Sequence, residues 1–208
     1  MVAWPKRRPH VASGRFFPSW RRPVRDFCAA LAIVALAVHF PAPISTSAEL
    51  SHPAEYELKA AFLYNFIKFT EWPAADLGKS DDPFIIGVLG KDPFGGALDK
   101  VVGGETVHNK TIVTRRFARM DETAAGSHVL FISSSEENNL PAVLRVLGGQ
   151  SVLTVSEIEN FARRGGVITL KRENNKVVFE INLEAAKRAK LTMNAQLLKL
   201  AKIVKSAP

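Results

Sequence analysis

The stretch FIIGVLGKDPFGGALDKVVGGETVHNKTIVTRRF, residues 84–117, decides the fold. FIIGVLG (84–90) is a short apolar run that ends in Gly and meets Lys91, Asp92 and Pro93, the pattern of a buried strand closing in a turn. A short helix is expected from about Phe94 to Val102, and TIVTRRF (111–117) is expected to be a second strand. HVLFIS (128–133) reads as a third, leading through polar residues into a helix around Glu137 to Leu147. VLTVS (152–156) and a short helix around Glu157 to Arg163 add one more step. Strands alternating with short helices specify an α/β domain.

Beyond Gly165 and Gly166 the pattern changes. VITL (167–170) and KVVFEI (176–181) flank the turn segment RENN (172–175), an antiparallel hairpin signal. LEAAKRAKLTMNAQLLKLAKIV (183–204) reads as helical, broken at Leu191 or Thr192. Leu197, Leu198, Ala201 and Val204 would then give the terminal helix a face to bury. On the other side, SHPA (51–54) reads as a helix start with Ser51 as N-cap and Pro53 in the first turn. EYELKAAFLYNFIKFTEWP (55–73) places Leu58, Ala61, Phe62, Asn65, Phe66 and Phe69 at helical spacing, and Pro73 stops it. This aromatic stripe suits core packing; alternatively Tyr64, Phe69 or Trp72 stays partly exposed for a partner. The expected architecture is a single compact α/β domain, a mixed β-sheet with helices packed on it, closed by a C-terminal β-hairpin followed by helices.

The chain has 208 residues, 47% hydrophobic and 23% charged, which is ordinary globular usage and fits one domain. Its net charge of +8 is unevenly spread. Up to Ala48 there are seven basic residues and one acid, whereas the remaining 160 residues carry 21 basic and 19 acidic side chains. A domain near neutrality has no general attraction for nucleic acid, which requires clustered cations.

FCAALAIVALAVHF (27–40) carries no formal charge, follows a basic stretch and precedes the small residues Ser45, Thr46, Ser47 and Ala48. That is the order of a secretory signal peptide. As a helix it would cover about 21 Å, short of the ~30 Å bilayer core, so export with cleavage after Ala48 is favoured over a permanent anchor. Residues 49–208 would form the exported domain. Arg21 and Arg22 are followed by Pro23 and Val24, against a twin-arginine signal, and Cys28 starts the apolar run where a lipoprotein cysteine would follow it. Cys28 is the only cysteine, so the exported domain would have no disulfide, thiolate or cysteine metal site.

No motif of known chemistry appears. A phosphate loop at Gly87–Lys91 would need Gly in place of Ile85 and Ser or Thr in place of Asp92. His52, His108 and His128 have no metal-ligand spacing, and His128, opening a buried strand, suits a structural role. Ser133, Ser134 and Ser135 lack a nucleophile elbow and suit helix capping. Arg115, Arg116, Arg163, Arg164 and Lys171 have the acids Asp121, Glu122, Glu157 and Glu159 near them in sequence, which suits solvated ion pairs. Binding or regulation is therefore favoured over catalysis, with no cofactor and no metal.

Five segments in order resemble the YfiR family of periplasmic regulators: ELKAAFLYNFIKFTEWP (57–73), FIIGVLGKDPFGGAL (84–98), HVLFIS (128–133), LTVSEIENFARRGGVITL (153–170) and NKVVFEINLEAAKRAKLTMNAQLLKLAKIV (175–204). The resemblance implies a periplasmic α/β domain, often a homodimer, that inhibits a membrane-bound diguanylate cyclase through the periplasmic sensor domain of that enzyme. It also implies release by an outer-membrane lipoprotein, raising cyclic di-GMP and promoting biofilm. Family members commonly carry cysteines near the HVLFIS strand; here Gly126 and Ser127 precede it, so redox control does not carry over. Partner contacts are expected at Tyr64, Phe69, Glu71 and Trp72 and at Glu157, Glu159, Arg163 and Arg164, on a cyclase or a sensor kinase. The alternative is a small-ligand binding or sensory module with a cleft at the strand ends around Lys91, Asp92 and Arg163.

Overall fold

Helix α1, His52–Lys68, opens the part of the chain that a computed structural model describes, residues 51–79 and 81–207. The expected leader, residues 1–48, lies outside the described residues. Ser51 is the N-cap, but its side chain makes no capping bond; its carbonyl accepts from the Glu55 N–H at 3.0 Å. Pro53 fits the first turn because its missing N–H would have had no helical partner. After the helix, β1 (Thr70–Glu71) pairs antiparallel with β9 (Thr192–Met193) in a ribbon apart from the main sheet.

The main sheet contains β2 (Phe84–Leu89), β3 (Thr106–Val107), β4 (Lys110–Phe117), β5 (Val129–Ile132), β6 (Leu153–Ser156), β7 (Ile168–Glu173), β8 (Lys176–Asn182) and β10 (Lys202–Val204). Their spatial order is β10-β8-β7-β6-β5-β2-β4-β3. Strands β4, β2, β5, β6 and β7 are mutually parallel, while β8 runs antiparallel to β7 and β10 parallel to β8. The expected mixed sheet and α/β class are thus present. In chain order the five parallel strands stand second, first, third, fourth, fifth, an open doubly wound arrangement.

The period-two alternation of each strand divides the core between two faces. Ile86, Val88, Phe131, Val155 and Ile168 meet α1 and helix α2 (Gly96–Val102). Leu89, Leu130 and Ile132 meet Phe161 and helix α4 (Leu140–Val146). Helix α3 (Glu122–Ala125) leads into β5, and α5 (Leu183–Arg188) and α6 (Ala195–Leu200) follow the hairpin. That hairpin turns on Asn174 and Asn175, with φ of 49° and 61°, the two left-handed positions of a type I′ turn.

Three expected elements differ. The helix around Glu137 to Leu147 starts as a 3-10 turn, Ser134–Asn139, and becomes α-helical at Leu140, with Pro141 in the first turn where it needs no N–H. Ser133 does cap it, accepting from the Ser135 N–H at 3.4 Å. No helix forms over residues 157–163, which follow a series of turns. Asn160 is left-handed there, φ 57°, and the Phe161 ring closes on Gly166, where an added Cβ would lie 2.1 Å from Cε1. The terminal helix stops at Leu200, Ala201 is extended, and Lys202–Val204 pairs with the outer edge of β8. Satisfying that strand's edge groups outweighs one further helical turn, so Val204 is buried as a strand residue. Beneath it Glu180 is buried and receives Lys171 at 3.0 Å and Lys202 at 3.3 Å. Burial alone would raise its pKa, but the two ammonium groups hold it below the ordinary carboxylate range.

His128 has the structural role expected of it. Its Nδ1 accepts from the Ile85 N–H at 3.0 Å and its ring stacks on Phe84, centroids 4.4 Å apart. Burial, and after it the Lys110 charge, lowers its pKa. The folded protein therefore binds a proton on this ring less readily than the unfolded chain does. Its contribution is complete above the unfolded value of ~6.5 and is lost as pH falls through the lower folded value. The melting temperature is expected to drop as pH is lowered from about 7.5 to 5.5, and His128→Gln to flatten that slope. An unchanged slope in the variant would remove His128 as its source.

Candidate functional site

In an open parallel sheet, ligands bind outside the carboxyl ends of the strands where the strand order reverses. Here that point lies between β2 and β5, and the chain itself occupies it. Gly90 is left-handed, φ 85°, and an added Cβ would lie 2.4 Å from Ser135 Oγ and 2.8 Å from Glu136 Cγ. The Lys91 N–H donates to Ser135 Oγ at 2.9 Å. Asp92 accepts from the Phe94 N–H at 2.7 Å and from Arg116 Nε at 3.0 Å. Arg116 also meets Asp99 at 2.6 Å. The hydrogen bond from Arg116 lowers the Asp99 pKa.

One strand further, the carboxyl edge opens into a cleft of about 460 Å³ between α1 and the ends of β6 and β7. Its floor is a charged network centred on Glu157, the residue that follows β6. Tyr56 Oη donates to both Glu157 oxygens at 2.9 Å, Lys59 Nζ reaches Oε2 at 2.6 Å, and Ser134 Oγ lies 3.2 Å from Oε1. Lys59 also pairs with Glu55 at 2.7 Å, and Glu55 with Arg172 at 3.5 Å. The Lys59 side chain is only 5% exposed and its ammonium sits 4.4 Å from the centre of the Tyr56 ring. Burial, and then the Glu157 carboxylate, push the Tyr56 phenol well above the usual tyrosine range, so it remains a hydrogen-bond donor at neutral pH. No group in the network stands out as an activated nucleophile or base. It fixes the amino-terminal half of α1 to the carboxyl edge and leaves a cleft lined by carboxylates and cations.

A second concavity, about 310 Å³ and largely apolar, lies at the other end of α1 among Phe62, Asn65, Phe69, Phe179, Leu197 and Leu200. Among the described residues no cluster of three or more His, Cys, Asp or Glu is placed to hold a metal.

The model of the YfiR/HmsC-like family matches residues 56–202. The chain belongs to this family. YfiR-like proteins are periplasmic and regulatory rather than catalytic, connected in general with diguanylate cyclase control. Both the Glu157 network, apart from Glu55, and the apolar concavity lie within the YfiR-like region. No curated protein matches the chain. A conserved domain protein from Vibrio cholerae O1 biovar El Tor strain N16961 is similar in structure, with a TM-score of 0.52 at 11% identity, covering 72% of this chain and 60% of that one. This chain thus spans about 60% of the length of that structure's chain, and the likeness is one of fold.

The expected contact residues of this YfiR-like domain do not form one patch. Glu157 is taken up in the network at the amino-terminal end of α1, whereas Tyr64, Phe69, Glu71 and Trp72 lie at or beyond the carboxyl-terminal end. Trp72, for which core packing and partial exposure to a partner are the two readings, is buried at 7%, edge-on to Phe84 at 5.1 Å. Tyr64 donates to Glu105 at 2.5 Å, Phe69 is half-buried and Glu71 exposed. Glu159 and Arg163 are exposed, and Arg164 pairs with Glu137 at 3.2 Å. Arg116 and Arg164 thus take Asp92, Asp99 and Glu137 in place of the acids nearer in sequence. No described hydrogen bond or ion pair joins Arg163 to Lys91 or Asp92. Sequence reading missed Glu55, Tyr56, Lys59, Ser134 and Arg172. Glu55 and Lys59 were visible only as an i,i+4 helix pair; their partner Glu157 lies 98 residues beyond Lys59.

Proposed function

We propose that this chain is a periplasmic repressor of a membrane-bound diguanylate cyclase, acting without catalysis by binding that enzyme's periplasmic sensor domain. Family membership across residues 56–202, nearly the whole described domain, is the observation that carries this reading. Binding lowers cyclic di-GMP only to the degree that the domain prefers the inactive form of the cyclase over the active one. The chain reaches the periplasm through a signal peptide over residues 1–48 and works as a homodimer, with an outer-membrane lipoprotein relieving the inhibition. A membrane sensor kinase is the other partner of suitable placement. Half-buried Tyr64 and Phe69 and exposed Glu71 at one end of α1, and exposed Glu159, Arg163 and Arg164 after β6, offer contact surfaces. Deleting the gene is expected to raise cellular cyclic di-GMP and surface attachment, reversed by the intact gene in trans. Unchanged levels in a strain that retains a membrane cyclase with a periplasmic domain would contradict the repressor reading.

The open charged cleft of about 460 Å³ supports a second reading, a small-ligand sensory module without a cyclase partner. On that reading a periplasmic extract raises the melting temperature of the intact protein through a dialysable component, and deletion leaves cyclic di-GMP unaltered.

A further inference from the structure

The two edges of the main sheet differ in length. At one end stands β10, a strand of three residues. At the other, β3 covers only the start of β4: Thr106 pairs with Thr111 and Val107 with Lys110, and the Ile112 N–H reaches the Glu105 carbonyl at 3.3 Å. From Val113 to Phe117, β4 has a strand neighbour on one side alone, β2.

Main-chain groups turn to alternate sides along a strand. The Phe117 carbonyl accepts from the Gly90 N–H at 2.8 Å, which turns Phe117, and with it Arg115 and Val113, toward β2. Thr114 and Arg116 therefore turn their N–H and C=O groups outward, in step with Ile112, and among the described residues nothing bonds to them. Native sheets blunt such an edge with charged side chains, bulges or a covering segment. Here the side chains of both outward residues are tied back to α2 and the turn before it: Arg116 donates to Asp92, Asp99 and the Gly95 carbonyl, and Thr114 Oγ1 donates to Asp99. The main chain of the edge is left open.

We propose that this edge takes an extended segment of another protein as an added strand, paired through the main chain of Thr114 and Arg116. The face of β4 away from α2 sets the side chains that the segment carries. Val113, Arg115 and Phe117 share that face, half-buried, exposed and half-buried in turn, and Ile85, opposite Val113 on β2, is half-buried too. A segment pairing there meets apolar, cationic and apolar positions two residues apart, so it carries an acidic residue between two apolar ones in the same alternation. A second copy of this chain fits poorly, since antiparallel pairing about Arg115 sets that side chain against its own counterpart. Docking at this edge does not depend on whether the protein represses a cyclase.

The test is an NMR titration of the intact, nitrogen-15-labelled protein with two synthetic peptides, acetyl-Thr-Val-Thr-Glu-Thr-Val-Thr-amide and its counterpart with Lys in place of Glu. The Glu peptide is expected to bind about fivefold more tightly than the Lys peptide, with shifted and exchange-protected amides confined to residues 112–118. Arg115→Glu should reverse that preference. Thr114→Pro removes an outward donor and leaves the ladder to β2 intact, so it should abolish binding with little change in melting temperature. N-methylation of alternate residues of the Glu peptide, in one of the two possible phases, should abolish binding to the unaltered protein. No binding, equal affinity for the two peptides, indifference to methylation in both phases, or amide shifts centred on β10 would overturn the proposal. Dimerisation of the protein that Thr114→Pro removes would assign the edge to a second copy and overturn it as well.

Discussion

Phe66→Ala is expected to cost about 3–5 kcal/mol of folding stability. Phe66 is completely buried at the centre of the contact between α1 and the sheet, with its ring 5.1 Å from Phe179 and 5.9 Å from Phe62. The helix has no independent reason to persist, since a 17-residue helix alone in water is marginal. It is held by the apolar face it places on β8 and its neighbours. Truncation removes the transfer free energy of the ring and leaves a cavity that rigid strands on one side cannot fill. A typical domain has only about 5–15 kcal/mol in all, so the urea midpoint should shift far to lower concentration at nearly constant slope. A loss below about 1 kcal/mol would mean that α1 is not anchored where the structure puts it.

Lys59→Ala is the second large effect, at about 3 kcal/mol. Its ammonium is the one cation between Glu55 and Glu157, and its side chain is 5% exposed. Removing it leaves two carboxylates facing one another, Glu157 with Tyr56 and Ser134 only and Glu55 with Arg172. Most of the cost is the uncompensated charge that remains and not the worth of the pair. Lys59→Met with Glu157→Gln should therefore lose less than the two single changes added together, by more than about 1 kcal/mol. Strict additivity in that double-mutant cycle would show that the network is not coupled. Because the network ties the amino-terminal half of α1 to the carboxyl edge, the same variants report whether that end of the helix must be fixed for regulation.

Those two residues also mark where the sequence was legible. Phe66 lies in a stripe at helical spacing, and Ile86, Val88 and Phe131 in short apolar runs closed by turn residues, so local periodicity located most strands, α1 and the hairpin. The hairpin turn could be read because Asn174 and Asn175 tolerate left-handed backbone. The last helix could not, because whether Lys202–Val204 coils or extends depends on a vacant strand edge at Glu180–Asn182 that only the assembled sheet provides. The turns over 157–163 were missed for a similar reason: Phe161 packs on Gly166, Asn182 Nδ2 donates to the Ala162 carbonyl at 2.7 Å, and the Ala162 N–H donates to Thr169 Oγ1 at 2.8 Å. The Glu157 network was beyond sequence reading because its members come from α1, the β5 exit, the β6 exit and β7. Trp72, an aromatic next to a helix end, follows the core-packing reading of the stripe, because it finds a pocket against Phe84 and His108.

Recovery of a membrane partner on the intact, epitope-tagged protein, crosslinked in living cells and purified from solubilised membranes, tests the central claim most directly. The expected result is co-purification of a membrane diguanylate cyclase with a periplasmic domain, reduced when half-buried Phe69 and exposed Glu71 and Arg163 are replaced together. Recovery of no cyclase or sensor kinase from a strain that makes one, together with unchanged cyclic di-GMP after deletion, would contradict it.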